Sequence, residues 1–349
     1  MRKKNKLLVP RGVRCLFLLL ALLLAVTTTP LIGISAEQPA KIKLKLALFH
    51  PSRATVSITY KKWEKKFKEA THGRVLLKIY DSGTLVKGPE FVDAVHRGIA
   101  DLALSFPPYI GKTTPLGDIS ALPGLITSDK HGWDVCYGGL FKLLEAEYAE
   151  HGWHNVKCLH PFLCNMGYIY TKDKQIKVPD DLKGLKIRDT GAGAEYIKRC
   201  GGAPVFMRLG EVYEGIQRGI VDGARGSPGN IFDYKWYELK PMYGLSKPIM
   251  WAHLVLIANK NSLAKIPKDL KSLVDTFLYS MVLDESANRL KLDSYYRQDF
   301  LPAQGLTWYT PTPEEAALWE ANAKSVIDAW LKRAGPRGQE ALNIIKKYR

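Results

Sequence analysis

The chain has 349 residues, with 51 Lys and Arg against 34 Asp and Glu and a formal net charge of +17. The positive residues are scattered: Lys61, Lys62, Lys65, Lys66 and Lys68 share one helical stretch, and Lys346, Lys347 and Arg349 close the chain. No basic block is interleaved with aromatics, which argues against a nucleic-acid partner and leaves a field that attracts small anions.

Met1–Arg14 holds Arg2, Lys3, Lys4, Lys6, Arg11 and Arg14 and no acid, Cys15–Val26 is unbroken apolar sequence, and small residues follow to Ala36. That order predicts a cleavable secretory signal peptide over residues 1–36 and a periplasmic location. The apolar run is short for a membrane span of about 20 residues. Cys15 begins the run instead of ending it, so a lipoprotein is excluded. Cleavage takes six of the 51 basic residues and no acidic one, leaving 313 residues at +11, enough for two domains or lobes. Cys136, Cys158, Cys164 and Cys200 remain. Cys158 and Cys164 lie about 20 Å apart if they share one strand, beyond disulfide reach, and mostly free, buried thiols are expected.

In chain order, Lys43–Phe49 alternates as a strand, and Thr55–Ala70 is helical with Trp63, Phe67 and Ala70 on one face. Arg74–Tyr80 is a strand, Pro89–Arg97 a helix and Ala100–Phe106 a strand. His131–His151 reads as one long helix. Val156–Leu163, Gly167–Thr171 and Leu185–Arg188 read as strands, Ala194–Cys200 and Gly210–Arg218 as helices. Ile220–Ala224 and Met250–Asn259 are strands. Pro267–Phe300 is one very long helical pattern, followed by a strand at Thr307–Thr310 and helices over Pro313–Ala334 and Gly338–Tyr348. Strands alternating with helices predict an α/β fold with mostly parallel sheets flanked by helices.

A repeat organises these elements. Glu90–Pro108 reads EFVDAVHRGIADLALSFPP and Glu211–Gly229 reads EVYEGIQRGIVDGARGSPG. Each is a helix, a glycine stop, an R-G-I-x-D turn and a strand. Glycine suits the stop because it takes a left-handed cap without strain. Two similar α/β units place a ligand cleft beyond the carboxyl ends of their strands.

The stretch Asp181–Tyr196 (DLKGLKIRDTGAGAEY) carries Arg188 at a strand end, ahead of a helix start. A guanidinium fork matches a carboxylate, and the free N–H groups of the helix start favour the same charge. Pairing of Arg188 with Asp189 or Asp181 is the alternative. His151, His154, Cys158, His160 and Cys164 resemble metal ligands in type, but a strand spreads them too widely for one ion. Gly191-Ala-Gly193 lacks the third glycine and the ribose acid of a dinucleotide turn, and no P-loop, G-x-S-x-G or H-E-x-x-H stretch occurs. No cofactor, metal or catalytic residue is expected, and the chain reads as a binding protein instead of an enzyme.

The chain resembles the periplasmic solute-binding proteins of TRAP (tripartite ATP-independent periplasmic) transporters, the dicarboxylate-type receptors. The resemblance rests on Phe67–Leu85, the G-I-A-D turn at Gly98–Asp101, Leu122-Pro123, P-x-D-L-K-G-L-K-I-R at Pro179–Arg188, E-V-Y-x-x-I-Q-x-G-I-V-D-G at Glu211–Gly223, and the long helix after Ile266-Pro267. It implies a two-lobed, type II-like periplasmic-binding-protein fold with a ligand cleft between lobes and the long helix spanning both. Lobe I would comprise residues 37–163 with about 252–290, and lobe II residues 164–251 with about 291–349, hinged near 160–166 and 247–253. It also implies a monomer that closes on an organic acid, holds its carboxylate with Arg188, and delivers it to TRAP membrane subunits. A sensory receptor of the same fold signalling to a membrane kinase is the alternative, and an exported enzyme acting on such an acid a further one.

Sugar-acid receptors of this family often carry a second arginine where Tyr168 stands here, and an asparagine near Gly226, with Asn230 further on. That departure predicts a larger, less polar pocket. Phe49, Phe106, Tyr109, Phe162, Met207, Leu209 and Trp251 are further candidates to line it, for a monocarboxylate with an apolar or aromatic body. Arg208 or Arg225 could supply a second charge contact and would then favour a dicarboxylate.

Overall fold

The computed structural model describes residues 42–349, apart from the side chains of Leu163, Cys164, Asn165 and Ala252. The expected signal peptide lies outside the described residues. Ten strands run through the described residues: β1 (Ile42–Ala47), β2 (Val75–Tyr80), β3 (Leu102–Ser105), β4 (Val156–Lys172), β5 (Lys186–Arg188), β6 (Ala203–Val205), β7 (Gly223–Gly226), β8 (Met242–Leu245), β9 (Met250–Asn259) and β10 (Thr307–Tyr309). Their order is β2-β1-β3-β9-β4-β7-β5-β6, with β8 on β4 and β10 on β8. The outer pairs are parallel, as expected, but β3–β9, β9–β4, β4–β7 and β4–β8 are antiparallel, so the sheet is mixed. The central strand β4 is a single run of 17 residues where two strands were expected. Its register against β9 shifts between Cys158 and His160 and again between Leu163 and Met166.

Strand β9 is buried from Val255 to Ala258, the near-continuous apolar run of a strand covered on both faces. The helix Thr55–Ala70 turns Tyr60, Trp63 and Phe67 inward, where they share a core with Leu44, Leu46, Val274, Leu278 and Met281. A second core gathers Tyr168, Tyr170, Val212, Ile216 and Trp236. The third joins Phe91 and Leu144 to Ile187, Tyr196 and the terminal helix through Trp319 and Trp330.

Both copies of the repeat are built alike. The helices Phe91–His96 and Val212–Gln217 each lead to a glycine with positive φ, +74° at Gly98 and +67° at Gly219. In one copy Asp101 accepts from the Lys45 amide at 2.8 Å and Lys45 Nζ donates to the Gly98 carbonyl at 3.4 Å. In the other, Asp222 accepts from the Lys186 amide at 2.7 Å and Lys186 Nζ donates to the Gly219 carbonyl at 2.9 Å. The aspartate in R-G-I-x-D therefore ties down a backbone amide of the neighbouring parallel strand, β1 in one copy and β5 in the other.

One helical expectation changes, and two gain detail. The 131–151 pattern is two helices, Asp129–Val135 and Phe141–Glu150, joined by a π turn over Cys136–Leu140. Gly139 adopts φ 145° there, and a Cβ on it would stand 2.8 Å from Ile344 Cδ1 of the terminal helix. The long helix is regular over Lys271–Tyr295 and passes into a π turn at Tyr296–Phe300. The terminal helix runs Pro313–Lys347, broken at Gly335 (φ 59°) ahead of Pro336. Strands β6 and β8 and the helix Pro228–Asp233 add to the expected elements. Cys136, Cys158 and Cys200 are buried free thiols; the Cys164 side chain lies outside the described ones.

Candidate functional site

The carboxyl ends of β1, β3, β5 and β7 converge on a cavity of about 50 Å³. Phe49 and His50 follow β1, Phe106 follows β3, Arg188 ends β5, and Arg225 and Gly226 end β7. Tyr109, Gly167, Leu209, Ser227, Asn230 and Leu254 complete the wall. Eight of the thirteen residues proposed from sequence are thus brought together: Phe49, Phe106, Tyr109, Arg188, Leu209, Arg225, Gly226 and Asn230.

Arg188 is 3% exposed. Its Nε donates to the Met207 carbonyl at 2.8 Å, which fixes the fork, while its Nη2 is buried without a partner. No carboxylate pairs with it among the described residues. Neither Asp189 nor Asp181 plays that part: Asp181 accepts from the Lys177 and Val178 amides, and Asp189 belongs to Arg225. Arg225 Nε donates to Asp189 Oδ2 at 2.8 Å and its Nη2 donates to Oδ1, both residues being fully buried. The second arginine in the cavity wall is therefore neutralised in place. A Cβ at Gly193 would meet Asp189 Oδ1 at 2.5 Å and Arg225 Nη2 at 2.8 Å, so glycine leaves the room this pair needs.

Five proposed residues sit elsewhere. In β4, Gly167 faces the cavity, so Tyr168 faces the other way by strand alternation, against the Trp308 ring at 5.5 Å with Arg297 over it at 5.1 Å. Trp251 is core: it stacks on His253 and donates to Asp129 Oδ1 at 2.6 Å. Met207 offers only its carbonyl, its thioether lying within 2.7 Å of where a Gly215 Cβ would be. Arg208 points outward and pairs with Glu211. Phe162 is likewise core, at 0% exposure with Leu254 and Leu256.

The helix start after Arg188 does not face the cavity either. Thr190 gives it no side-chain cap. Instead Asp118, from the turn Pro115–Ala121, is buried against Gly191, and burial raises its carboxyl above the usual range while Arg333 and the Ala192 amide pull it down. Arg333 Nη2 holds its other oxygen at 2.9 Å. The anion position at that helix start is filled from within the chain, and Arg188 is left as the cavity's free cation among the described residues.

His50, Gly167, Ser227 and Leu254 escaped the sequence reading. His50 was within reach of the strand-end rule, standing one residue past Phe49. It is 2% exposed and stacked on the Phe49 ring at 4.2 Å. Burial first, and Arg289 second, lower its pKa to about 3, so the imidazole is neutral. Its Nδ1 is buried without a partner. Tyr109 closes the wall: its hydroxyl accepts from the Leu209 amide at 3.2 Å, and its ring stands edge-on to Phe106 and Phe49.

A strand-end cavity with an unpaired guanidinium and several apolar side chains suits the binding of a small organic anion. The description Bacterial extracellular solute-binding protein, family 7 (DctP) matches residues 46–333. A solute-binding protein of Chromohalobacter salexigens is 25% identical over 211 residues, 60% of this chain and 62% of that one. The C4-dicarboxylate-binding periplasmic protein DctP of Rhodobacter capsulatus is 25% identical over 285 residues, 78% of this chain and 82% of that one. Among solved structures, the Bordetella pertussis extracytoplasmic solute receptor DctP7, which binds pyroglutamic acid, superposes with a TM-score of 0.79 at 20% identity, covering 87% of this chain and 99% of that one. The chain belongs to family 7 of the bacterial extracellular solute-binding proteins, the TRAP receptors, and is a receptor, not an enzyme.

Proposed function

We propose that this receptor captures a monocarboxylate with an apolar or aromatic body and delivers it to TRAP-type membrane subunits. The observation that carries the reading is Arg188, a buried guanidinium with an unpartnered Nη2 and no ion pair among the described residues. A buried charge is costly until it is paired and hydrogen-bonded, and a ligand carboxylate supplies both. Arg225 is committed to Asp189 and Arg208 to Glu211, so one carboxylate matches the free charge and a second has no counterpart. Phe49, Phe106, Leu209 and Leu254 then take the body.

Capture proceeds by closure of two lobes, residues 37–163 with about 252–290 against 164–251 with about 291–349, bending where β4 and β9 cross near 160–166 and 247–253. The ligand favours closure because it touches both sides and binds the closed form better. The protein acts as a periplasmic monomer after loss of residues 1–36.

Calorimetry with hexanoate and phenylacetate, beside mass spectrometry of the solute that co-purifies, tests this. Arg188→Ala removes a charge-assisted pair and is expected to cost about 2–5 kcal/mol of binding; Arg188→Lys also weakens binding because the fork is lost. Affinity unchanged in Arg188→Ala refutes the assignment.

A further inference from the structure

We infer that His50 is the specificity-determining residue of the cavity, reading an uncharged hydrogen-bonding group, a hydroxyl or a carbonyl, on the body of the bound monocarboxylate. The inference rests on the Arg188 reading and adds to it. The hydrogen bonds at this position go to the backbone, where the Ser82 amide and the Ser57 hydroxyl both donate to the His50 carbonyl, at 2.7 and 3.4 Å. The ring, by contrast, lines the cavity with its Nδ1 buried and unpartnered. A buried polar atom is ordinarily hydrogen-bonded, and an orphan calls for an explanation. His50 and Arg188 are the two residues of this wall with an orphaned buried side-chain nitrogen. If the solute supplies the partner for Arg188, the same solute is the economical partner for His50.

The charge state fixes what kind of group is read. A neutral imidazole has one N–H donor and one acceptor nitrogen, so it serves a hydroxyl in either sense and a carbonyl as a donor. Burial and Arg289 hold its pKa down at about 3, so the ring is neutral near pH 7. A second carboxylate would need a cation here, and a bare hydrocarbon would leave the nitrogen unsatisfied. Phe49, Phe106 and Leu254 offer that group no partner, and the neutral polar side chains of the wall are already engaged: the Tyr109 hydroxyl accepts from the Leu209 amide, Ser227 Oγ from the Asn230 amide and Asn230 Oδ1 from the Ser227 amide. A site built to hydrogen-bond a substrate group rejects the analogue that lacks it.

The test is calorimetry of the processed receptor with five- and six-carbon monocarboxylates, each unsubstituted, hydroxylated or carrying an oxo group at successive carbons. Wild type is expected to prefer at least one hydroxy or oxo acid over its unsubstituted parent on the order of tenfold or more. His50→Leu and His50→Phe should reduce that preference to within about twofold while still binding the parent acid, and His50→Gln, which keeps a donor and an acceptor, should restore part of it. Hydroxy against oxo preference in wild type tells which group is read. Circular dichroism and melting of each variant separate loss of selectivity from loss of fold, and the wild-type panel decides even where a variant does not fold. Equal binding of parent and substituted acids by wild type, or a preference that survives in both apolar variants, overturns the role of His50 and leaves Arg188 standing. No binding by any acid in the panel overturns both.

Discussion

The substitution Asp189→Asn makes the charge accounting of the cavity measurable. Asp189 is 1% exposed and Arg225 4%. The carboxylate takes two guanidinium donors and, through Oδ1, the Thr190 amide at 2.6 Å. Asparagine keeps the shape and one acceptor but removes the charge, leaving the Arg225 guanidinium buried without its counter-ion. Removing one partner of a buried pair costs about 3–5 kcal/mol; the surviving acceptor puts the expectation near the lower end, about 3 kcal/mol. Against a typical stability of about 5–15 kcal/mol the variant still folds. It now holds two free cations at the strand ends. A dicarboxylate of suitable length gains a second contact, and at about 100 times its dissociation constant it returns about 2.7 kcal/mol. Urea denaturation of both proteins, alone and with matched acids from butyrate and succinate to hexanoate and adipate, reads the whole effect. Wild type should be stabilised more by the monocarboxylate series and the variant more by a dicarboxylate. An Asp189→Asn protein as stable as wild type, or one still favouring monocarboxylates, refutes the reasoning.

Two further outcomes concern stability against pH. His253 is fully buried, stacked on Trp251, with neither ring nitrogen partnered, and burial lowers its pKa from 6.5 to about 3. Because the folded-state value is depressed, the unfolded chain binds the proton first and stability falls as pH drops below 6.5, by about 2 kcal/mol at pH 5; His253→Phe should remove that share of the loss between pH 7.5 and 5 in urea titrations, and an unchanged loss would exclude His253 as its source. Glu147 is 6% exposed, accepts from the Leu116 amide, and is raised by burial to about 7. Its contribution is present below 4.5 and lost as pH rises through about 7, so Glu147→Gln should raise the melting temperature at pH 8 and change it little at pH 4.5; equal shifts at both values would contradict this.

Much of the cavity was legible because strand ends are local. Phe49, Phe106 and Arg188 each follow an alternating run, and the R-G-I-x-D repeat locates β3 and β7. What was hidden depends on pairing between distant strands. Tyr168 and Trp251 lie close to the right place, yet the register shift between Leu163 and Met166 resets which residues of β4 face the cavity, and alternation within one strand cannot reveal it. Arg208 and Arg225 look equivalent in sequence. They part company because β5 and β7 are parallel neighbours, with Arg188 beside Ala224, which sets Asp189 next to Arg225. The helix start at Gly191 resembled an anion site and is one, but its anion, Asp118, comes from more than seventy residues away.

The duplicated clamp carries a last implication. Matching Lys45 with Lys186 aligns Ala47 with Arg188, and matching Asp101 with Asp222 aligns Leu104 with Arg225 and Phe106 with Ser227. At corresponding places one copy presents methyls and rings, the other guanidinium and hydroxyl. The cavity is thus a near-symmetric frame with polarised faces, like a plug socket that accepts its pin one way round. Under the Arg188 assignment proposed above, a solute held there has a fixed head and tail, its acid toward β5 and β7 and its body toward β1 and β3, so the two mirror-image forms of a chiral acid present different faces to the same wall.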